Sequence, residues 1–315
     1  MKLDFIQHVA IIGSGMIGAS MAALFTGNGY KTTIYAINEK EAKSGSDRYD
    51  SCYQDLIAES LVTEKQAAAC RKLLSITQTY DDIADADFVF ECVFENKDVK
   101  FAVYKEVEKY CKQFKAIASS SSAMSADDLA EGLTQKDKMV VAHPWNPPHL
   151  VPCVEVLKSK HTSDEALQLV VDFLESVHHK PAVMLKSAPG FIANRLQHAI
   201  LREAVYMIEA GICTARDIDA ALTYSFMPRY TSIGFFEHQD NAGLDMVKSI
   251  DDYLFPDLCT AQKAQDLINQ KVAEGNLGIK TGKGMYDWTD VDLNAFRKRA
   301  SAPYFKFFDW DLPEE

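Results

Sequence analysis

Short continuous apolar runs alternate with stretches of helical period along the first half of the chain. "HVAIIG" closes on a glycine, and "MIGASMAALFTGNG" follows it as a helical pattern stopped by Gly27 and Gly29. "KTTIYAI" is a β-branched strand pattern. Further strands are predicted at 88–93 (FVFECV), 116–121 (AIASSS), 138–143 (KMVVAH), 152–157 (PCVEVL) and 181–186 (PAVMLK). Thr162 with Glu165 three residues on spells a capping box and opens a helix. Strands that are apolar throughout, alternating with helices, indicate a parallel sheet covered on both faces.

Near residue 187 the pattern changes. "SAPGFIANRLQHAILREAVYMIEAG" is a helix led in by Pro189 and Gly190 and stopped by Gly211, with Ile192, Leu196, Ile200 and Ala204 at helical spacing. "TARDIDAAL" begins another, with Thr214 as N-cap and Asp217 three residues later. The expected fold is therefore α/β: a Rossmann-like doubly wound sheet over 1–187, then an all-helical C-terminal domain over 188–315.

A chain of 315 residues suits two domains better than one core. Its 47% apolar and 25% charged residues are ordinary globular composition. A formal charge of −12 argues against nucleic-acid partners, which need Lys/Arg surfaces. No run reaches membrane-span length, and the opening "MKLDFIQHVAIIGSG" reads as a strand leading into a motif, not a signal peptide. The seven cysteines show no metal-ligand spacing, so no metal is expected, and scattered thiols suit a reducing, cytoplasmic setting.

"IIGSGMIG" places Gly13, Gly15 and Gly18 as GxGxxG directly after a strand and at the start of a helix, with Met16 and Ile17 between the last two. Gly13 permits the tight turn, Gly15 lets a pyrophosphate approach the backbone, and Gly18 lets helix and strand pack closely. The helix N-terminus favours the phosphate charge. The acidic residue that would bond the adenosine ribose is absent: Ala36 stands at its place, with Asn38 or Glu39 as substitutes. No arginine is adjacent to hold a 2′-phosphate, though Lys40 and Lys43 lie close. NAD is favoured, with NADP left open.

Five local pieces then read together: "ECVFENKDVK" (91–100), "SSSSAMS" (119–125), "AHPWNPPHLVPCVEV" (142–156), "PGFIANRLQ" (189–197) and "GIKTGKGMYDW" (278–288). In this order the chain resembles the 3-hydroxyacyl-CoA dehydrogenase family over nearly its whole length. HxxNP, a Glu twelve residues after its His, and PGFxxNR carry the likeness. The resemblance implies an NAD domain, a helical domain that commonly dimerises, and an active site in the cleft between them. By position it implies His143 as catalytic base, Glu155 as its orienting carboxylate, and Ser122 and Asn194 as groups on the substrate oxygen. Asn146 is the Asn of HxxNP, and Glu95 and Lys100 match positions along the cofactor.

Chemistry agrees. Hydride leaves a secondary alcohol readily only if the hydroxyl proton leaves too, and an imidazole, with an ordinary pKa of about 6.5, can take it at neutral pH. Glu155 would hold the tautomer and stabilise the imidazolium, as the buried Asp does in a serine-protease triad. Pro144, Pro147 and Pro148 stiffen the loop that carries the pair. Trp145 reads as packing or a pocket wall, and the other seven histidines as surface or satisfied core.

The substrate stays divided between a CoA thioester and a free 3-hydroxy acid. Pro144–Trp145 and "PPHLVP" are more similar to the gulonate dehydrogenase (lambda-crystallin) and carnitine dehydrogenase branch. "MPRYTSIGFFE" (227–237) points the same way, with Arg229 able to grip a substrate carboxylate bidentately. "EAKSGSDRYDSCYQDL" (41–56) is poor in the lysines a nucleotide diphosphate would want, whereas "GIKTGKGMYDW" resembles the CoA-type ending. A non-enzymatic role, structural like the crystallin or NAD(H)-sensing, is the competing class. It gives no reason for Ser122, His143, Glu155 and Asn194 to coexist.

Overall fold

The computed structural model describes residues 2–314. The apolar run His8–Ile12 forms β1, buried at every position, because a central parallel strand is covered on both faces. Around it lie β2 (Lys31–Tyr35), β3 (Leu74–Thr77), β4 (Phe88–Glu91), β5 (Ala116–Ser119), β6 (Met139–Pro144), β7 (Cys153–Lys158) and β8 (Lys180–Met184), in the sheet order β3-β2-β1-β4-β5-β6-β7-β8. Strands β3 to β6 run parallel; β7 turns back antiparallel on β6, and β8 is parallel to β7.

Helices α1 (Met16–Gly27), α2 (Glu39–Ala58), α3 (Glu64–Arg71), α4 (Lys97–Tyr110), α5 (Ala126–Ala130) and α6 (Asp164–Ser176) connect and cover these strands. Two apolar clusters result. One gathers Phe25, Tyr30, Phe88, Phe90 and Phe173; the other gathers Tyr104, Phe114, Ile117, Leu129 and Val141. Alternate residues of β4 divide between them, as side chains of a strand must.

The chain separates into two compact units: residues up to Ile192 together with those from Arg297 onward, and Ala193–Phe296. The second holds α7 (Ala193–Glu209), α8 (Ala215–Tyr224), α9 (Phe235–Ala242), α10 (Leu244–Leu254) and α11 (Asp266–Ala273), and α12 (Leu293–Ser301) runs across the division. The last described stretch thus belongs with the first unit. Trp310 lies against Gly27, where an added Cβ would meet its ring at 2.2 Å, and the Asp311 N–H donates to Asn28 Oδ1 at 3.0 Å.

Three local expectations are corrected. The cap of α6 is Ser163, which accepts from the Ala166 N–H, while the Thr162 hydroxyl donates to the Met139 carbonyl and accepts from the Ser159 N–H. The sheet is not wholly parallel, since the Pro-rich connection from β6 to β7 is too short for the dozen-residue crossover a parallel pair needs. Strand β3 went unread because it is a four-residue edge strand with one buried position. Thr214 caps α8 as expected, in a capping box with Asp217.

Candidate active site

At the end of β1 the three glycines are set as their spacing demands. Gly13 has φ +114°, and a Cβ there would sit 2.7 Å from the Cys92 carbonyl oxygen. A Cβ on Gly18 would lie 2.0 Å from the Gly13 oxygen, so any larger residue would push α1 off the strand. A Cβ on Gly15 meets nothing within 4 Å, which leaves the N-terminus of α1 open on that side. Met16 is exposed beside it, Ile17 packs toward the core, and Arg48 from α2 donates to the Ser14 carbonyl at 3.0 Å. Tight turn, open amide face and close helix packing together fit a dinucleotide pyrophosphate.

The strand order changes direction between β1 and β4, and in open α/β sheets the crevice at the carboxyl ends there takes the ligand. Ala36 is fully buried and offers no polar atom, while Asn38 caps α2 by accepting from the Glu41 N–H at 2.9 Å. Glu95 lies beyond β4; its carboxylate accepts from the Ser121 hydroxyl and from the Ala123 N–H at 3.1 Å. Partial burial opposes ionisation of Glu95, yet the Ser121 hydroxyl, the Lys100 charge and the Ala123 N–H outweigh it and hold the carboxyl below the ordinary glutamate range. Lys100 is wholly buried and meets Glu91, not open surface. Ser122 is exposed in the bend after β5.

His143 and Glu155 face each other across the antiparallel pair β6·β7, in direct register. His143 Nδ1 lies 3.0 Å from Glu155 Oε2, with the imidazole 14% exposed and the carboxylate 1%. Two further donors hold that carboxylate: Trp145 Nε1 to Oε2 at 3.2 Å, and the Ile192 N–H to Oε1 at 2.7 Å. The second depends on a tight turn in which Gly190 (φ +79°) and Phe191 (φ +50°) both adopt left-handed backbone. That conformation is rare for a bulky residue, and it sets the Phe191 ring edge-on to His143 at 5.4 Å.

Because β6 is parallel to β5, β4 and β1, His143 at its end stands on the same sheet edge as the glycine loop. Three strand spacings separate them, about 14 Å. Sequence reasoning overlooked the Trp145 and Ile192 bonds. The indole inside HPWNP was a visible signal, since a buried Trp N–H needs an acceptor. A backbone donor at Ile192 leaves no trace in residue types.

Asn146 is exposed in the loop after β6. Asn194 is half-buried in the first turn of α7, and within the helical unit the Arg229 guanidinium stands 2.9 Å from His238 Nε2 with Tyr230 and Phe235 nearby. Among the described residues no group of three or more His, Cys, Asp or Glu is placed to hold a metal ion, and no helix is long and apolar enough to cross a membrane.

Residues 8–188 match the model of the 3-hydroxyacyl-CoA dehydrogenase NAD binding domain, and 190–288 that of the 3-hydroxyacyl-CoA dehydrogenase C-terminal domain. The chain is 32% identical to the mitochondrial hydroxyacyl-coenzyme A dehydrogenase of Sus scrofa over 91% of its length and 93% of the relative's. It is 31% identical to L-carnitine dehydrogenase of Oceanobacillus iheyensis over 73% of this chain and 74% of that one. The crystal structure of 5-formyl-3-hydroxy-2-methylpyridine 4-carboxylic acid 5-dehydrogenase, an NAD+ dependent dismutase, superposes with a TM-score of 0.82 at 29% identity, covering 94% of this chain and 96% of that one. The chain belongs to the 3-hydroxyacyl-CoA dehydrogenase family, NAD-dependent oxidoreductases that act on CH–OH groups.

Proposed function

We propose that the protein interconverts a 3-hydroxyacyl and a 3-ketoacyl compound, with His143 as general base. The observation that carries this reading is the His143–Glu155 pair on the glycine-loop edge of the sheet. NAD bound along that edge would supply the acceptor for the hydride that leaves the carbinol carbon. The His143 Nδ1–H donates to the Glu155 carboxylate, which leaves Nε2 with a free lone pair for the hydroxyl proton. Trp145 and Ile192 fix the carboxylate, so the base does not reorient during turnover. Ser122 and Asn194 are the groups assigned to the substrate oxygen, Asn146 to substrate binding, and Gly13, Gly15, Met16, Ile17, Gly18, Asn38 and Glu95 to the dinucleotide.

A free 3-hydroxy acid is the second reading, and two observations favour it. Lys43 is paired with Asp47 at 2.7 Å and Arg71 lies 3.6 Å from Asp50, so cations on α2 and α3 are already engaged by acids where a CoA diphosphate would want them. Arg229, by contrast, is exposed among aromatic rings, its side chain bonded to His238 alone among the described residues. Incubating the protein with NAD and either 3-hydroxyacyl-CoA thioesters or free 3-hydroxy acids, and following NADH absorbance, tests both. Arg229→Ala should raise the KM for a free acid about 10-fold or more, the loss of a charge-assisted bidentate contact, and scarcely alter that for a thioester. An equal response of both substrates removes the carboxylate clamp; no NADH from any member of either class removes the dehydrogenase reading of the pair.

The helical unit further supports a homodimer. Of the described residues 193–296 only Val205 is buried, while Leu196 and Leu201 of α7 and Met246, Ile250 and Leu254 of α10 remain exposed. About a hundred residues with so little core need a partner surface, and a second copy supplies the same apolar stripes. Light scattering at micromolar concentration should give twice the chain mass, and a monomer there would refute it. The acidic net charge suits small-molecule partners over nucleic acid, and the scattered free thiols are consistent with a reducing, cytoplasmic setting.

A further inference from the structure

Behind the loops assigned to cofactor and substrate lies an ion pair that no solvent reaches. Glu91, the last residue of β4, and Lys100, in the first turn of α4, are both 0% exposed. Lys100 Nζ donates to both Glu91 oxygens, at 2.8 and 3.0 Å. The Tyr104 and Ser119 hydroxyls donate to Oε2 at 2.9 and 2.6 Å, and the Val93 N–H to Oε1 at 2.8 Å. Every acceptor direction of this carboxylate is in use. A buried pair returns little net stability, because desolvating two charges offsets most of their attraction. What such a pair does supply is a fixed geometry.

That geometry extends outward. Lys100 Nζ also lies 3.4 Å from Glu95 Oε2, so one ammonium sits between two carboxylates, one sealed and one at the surface. Glu95 Oε1 in turn collects the Ser121 hydroxyl and the Ala123 and Met124 N–H groups, which brackets Ser122 on both sides. The loop after β4 and the loop after β5 are thereby joined through Glu95. The pairing also separates two residues the family resemblance put together: Glu95 reaches solvent, and Lys100 does not.

We propose that Glu91 is a positioning residue. It holds the Lys100 ammonium in the interior, Lys100 holds Glu95, and Glu95 sets the Ser121–Met124 turn that carries Ser122. With Glu91 neutral, the ammonium has only Glu95 to pair with and draws that carboxylate inward, away from Ser121. The consequences for binding rest on the assignment of Glu95 and Ser122 in the proposed function; the coupling of the two loops does not.

The test uses the full-length protein, with NADH affinity read by energy transfer from tryptophan and with thermal unfolding as the control for folding. Glu91→Gln should weaken NADH about 10-fold and raise the KM for the hydroxy substrate several-fold, while kcat changes far less, since positioning and not the base is disturbed. Ser121→Ala leaves the buried pair whole and should move the same two constants in the same direction, about three-fold. Tighter or unchanged NADH in folded Glu91→Gln overturns the proposal. Should Glu91→Gln fail to fold, unchanged constants in Ser121→Ala overturn it alone. Wild-type protein that binds NADH but oxidises no hydroxy compound would sink the substrate reading only, because NADH affinity still reports on the loops.

Discussion

His143→Gln should lose about 10²–10⁴-fold in turnover, the usual worth of a positioned general base, while NADH affinity stays close to the wild-type value. The separation follows from location. His143 is the penultimate residue of β6, three strand spacings from the glycine loop assigned to the dinucleotide, and no hydrogen bond links the imidazole to that loop among the described residues. His143→Asn sharpens the experiment. Its amide N–H falls near the Nδ1 position, so Glu155 keeps a donor there beside Trp145 and Ile192 and the buried carboxylate is not left short of partners. Both variants lack a basic nitrogen at the Nε2 position, and both should be slow. Full activity in either, with the fold intact by circular dichroism, would take His143 out of the chemistry and leave Glu155 as a structural carboxylate.

The pair was legible before any coordinates because its signal is local. Three prolines between two strand-like runs force the chain to return on itself, and His143 and Glu155, twelve residues apart in sequence, then meet on facing strands. The glycine loop was legible for a similar reason: each of its three glycines answers a distinct steric demand at Cys92, at the ligand side and at Gly13. The direction of β7 could have been read from the same proline loop, since so short a connection permits only an antiparallel return. Strand β3 could not. "LSIT" is short and half-exposed on the sheet edge, and it follows a helix with no glycine or proline between them.

What escaped altogether is tertiary. Glu91 occupies a strand pattern that reads as plain core, and nothing near it announces that Lys100, nine residues later, will fold back as its partner. The closing stretch reads by composition as a continuation of the helical half. Its Tyr304, Phe308 and Trp310 settle instead against the first apolar cluster, a choice made by surface complementarity and invisible to periodicity. The substrate carboxylate clamp lies on the same side of that limit: Arg229 is named by a motif, but what it grips depends on shape.

Acidification from pH 7 to 5 should cost the protein about 4 kcal/mol, through two histidines that serve the site without belonging to it. His149, in the proline loop after β6, is 5% exposed, with Nδ1 2.6 Å from the Ser20 hydroxyl of α1; His179 is 3% exposed, with Nε2 2.8 Å from the Pro148 carbonyl. His149 clasps the loop that follows His143 to the helix that follows the glycines, and His179 ties the same loop to the turn before β8. Burial lowers both imidazoles to about 4, helped for His149 by the neighbouring His179 and opposed for His179 by bonds to the Pro148 and Val177 backbone. The unfolded chain takes up these protons near pH 6.5 and the folded one near 4, so the contribution is complete above about 6.5 and drains away between the two values. At pH 5 each histidine accounts for about 2 kcal/mol, enough to lower the thermal midpoint by roughly 5–10 °C. Buried His8, also lowered by desolvation, adds in the same direction, whereas Glu95, Asp85 and Asp87 are held below their ordinary values and lose their contribution only in stronger acid. The double variant His149→Asn, His179→Gln keeps an amide near each bonded nitrogen and removes both titrations. Its midpoint should be lower at pH 7 yet fall much less between pH 7 and 5; a wild-type midpoint that holds steady across that interval would show that these imidazoles accept protons inside the fold without penalty.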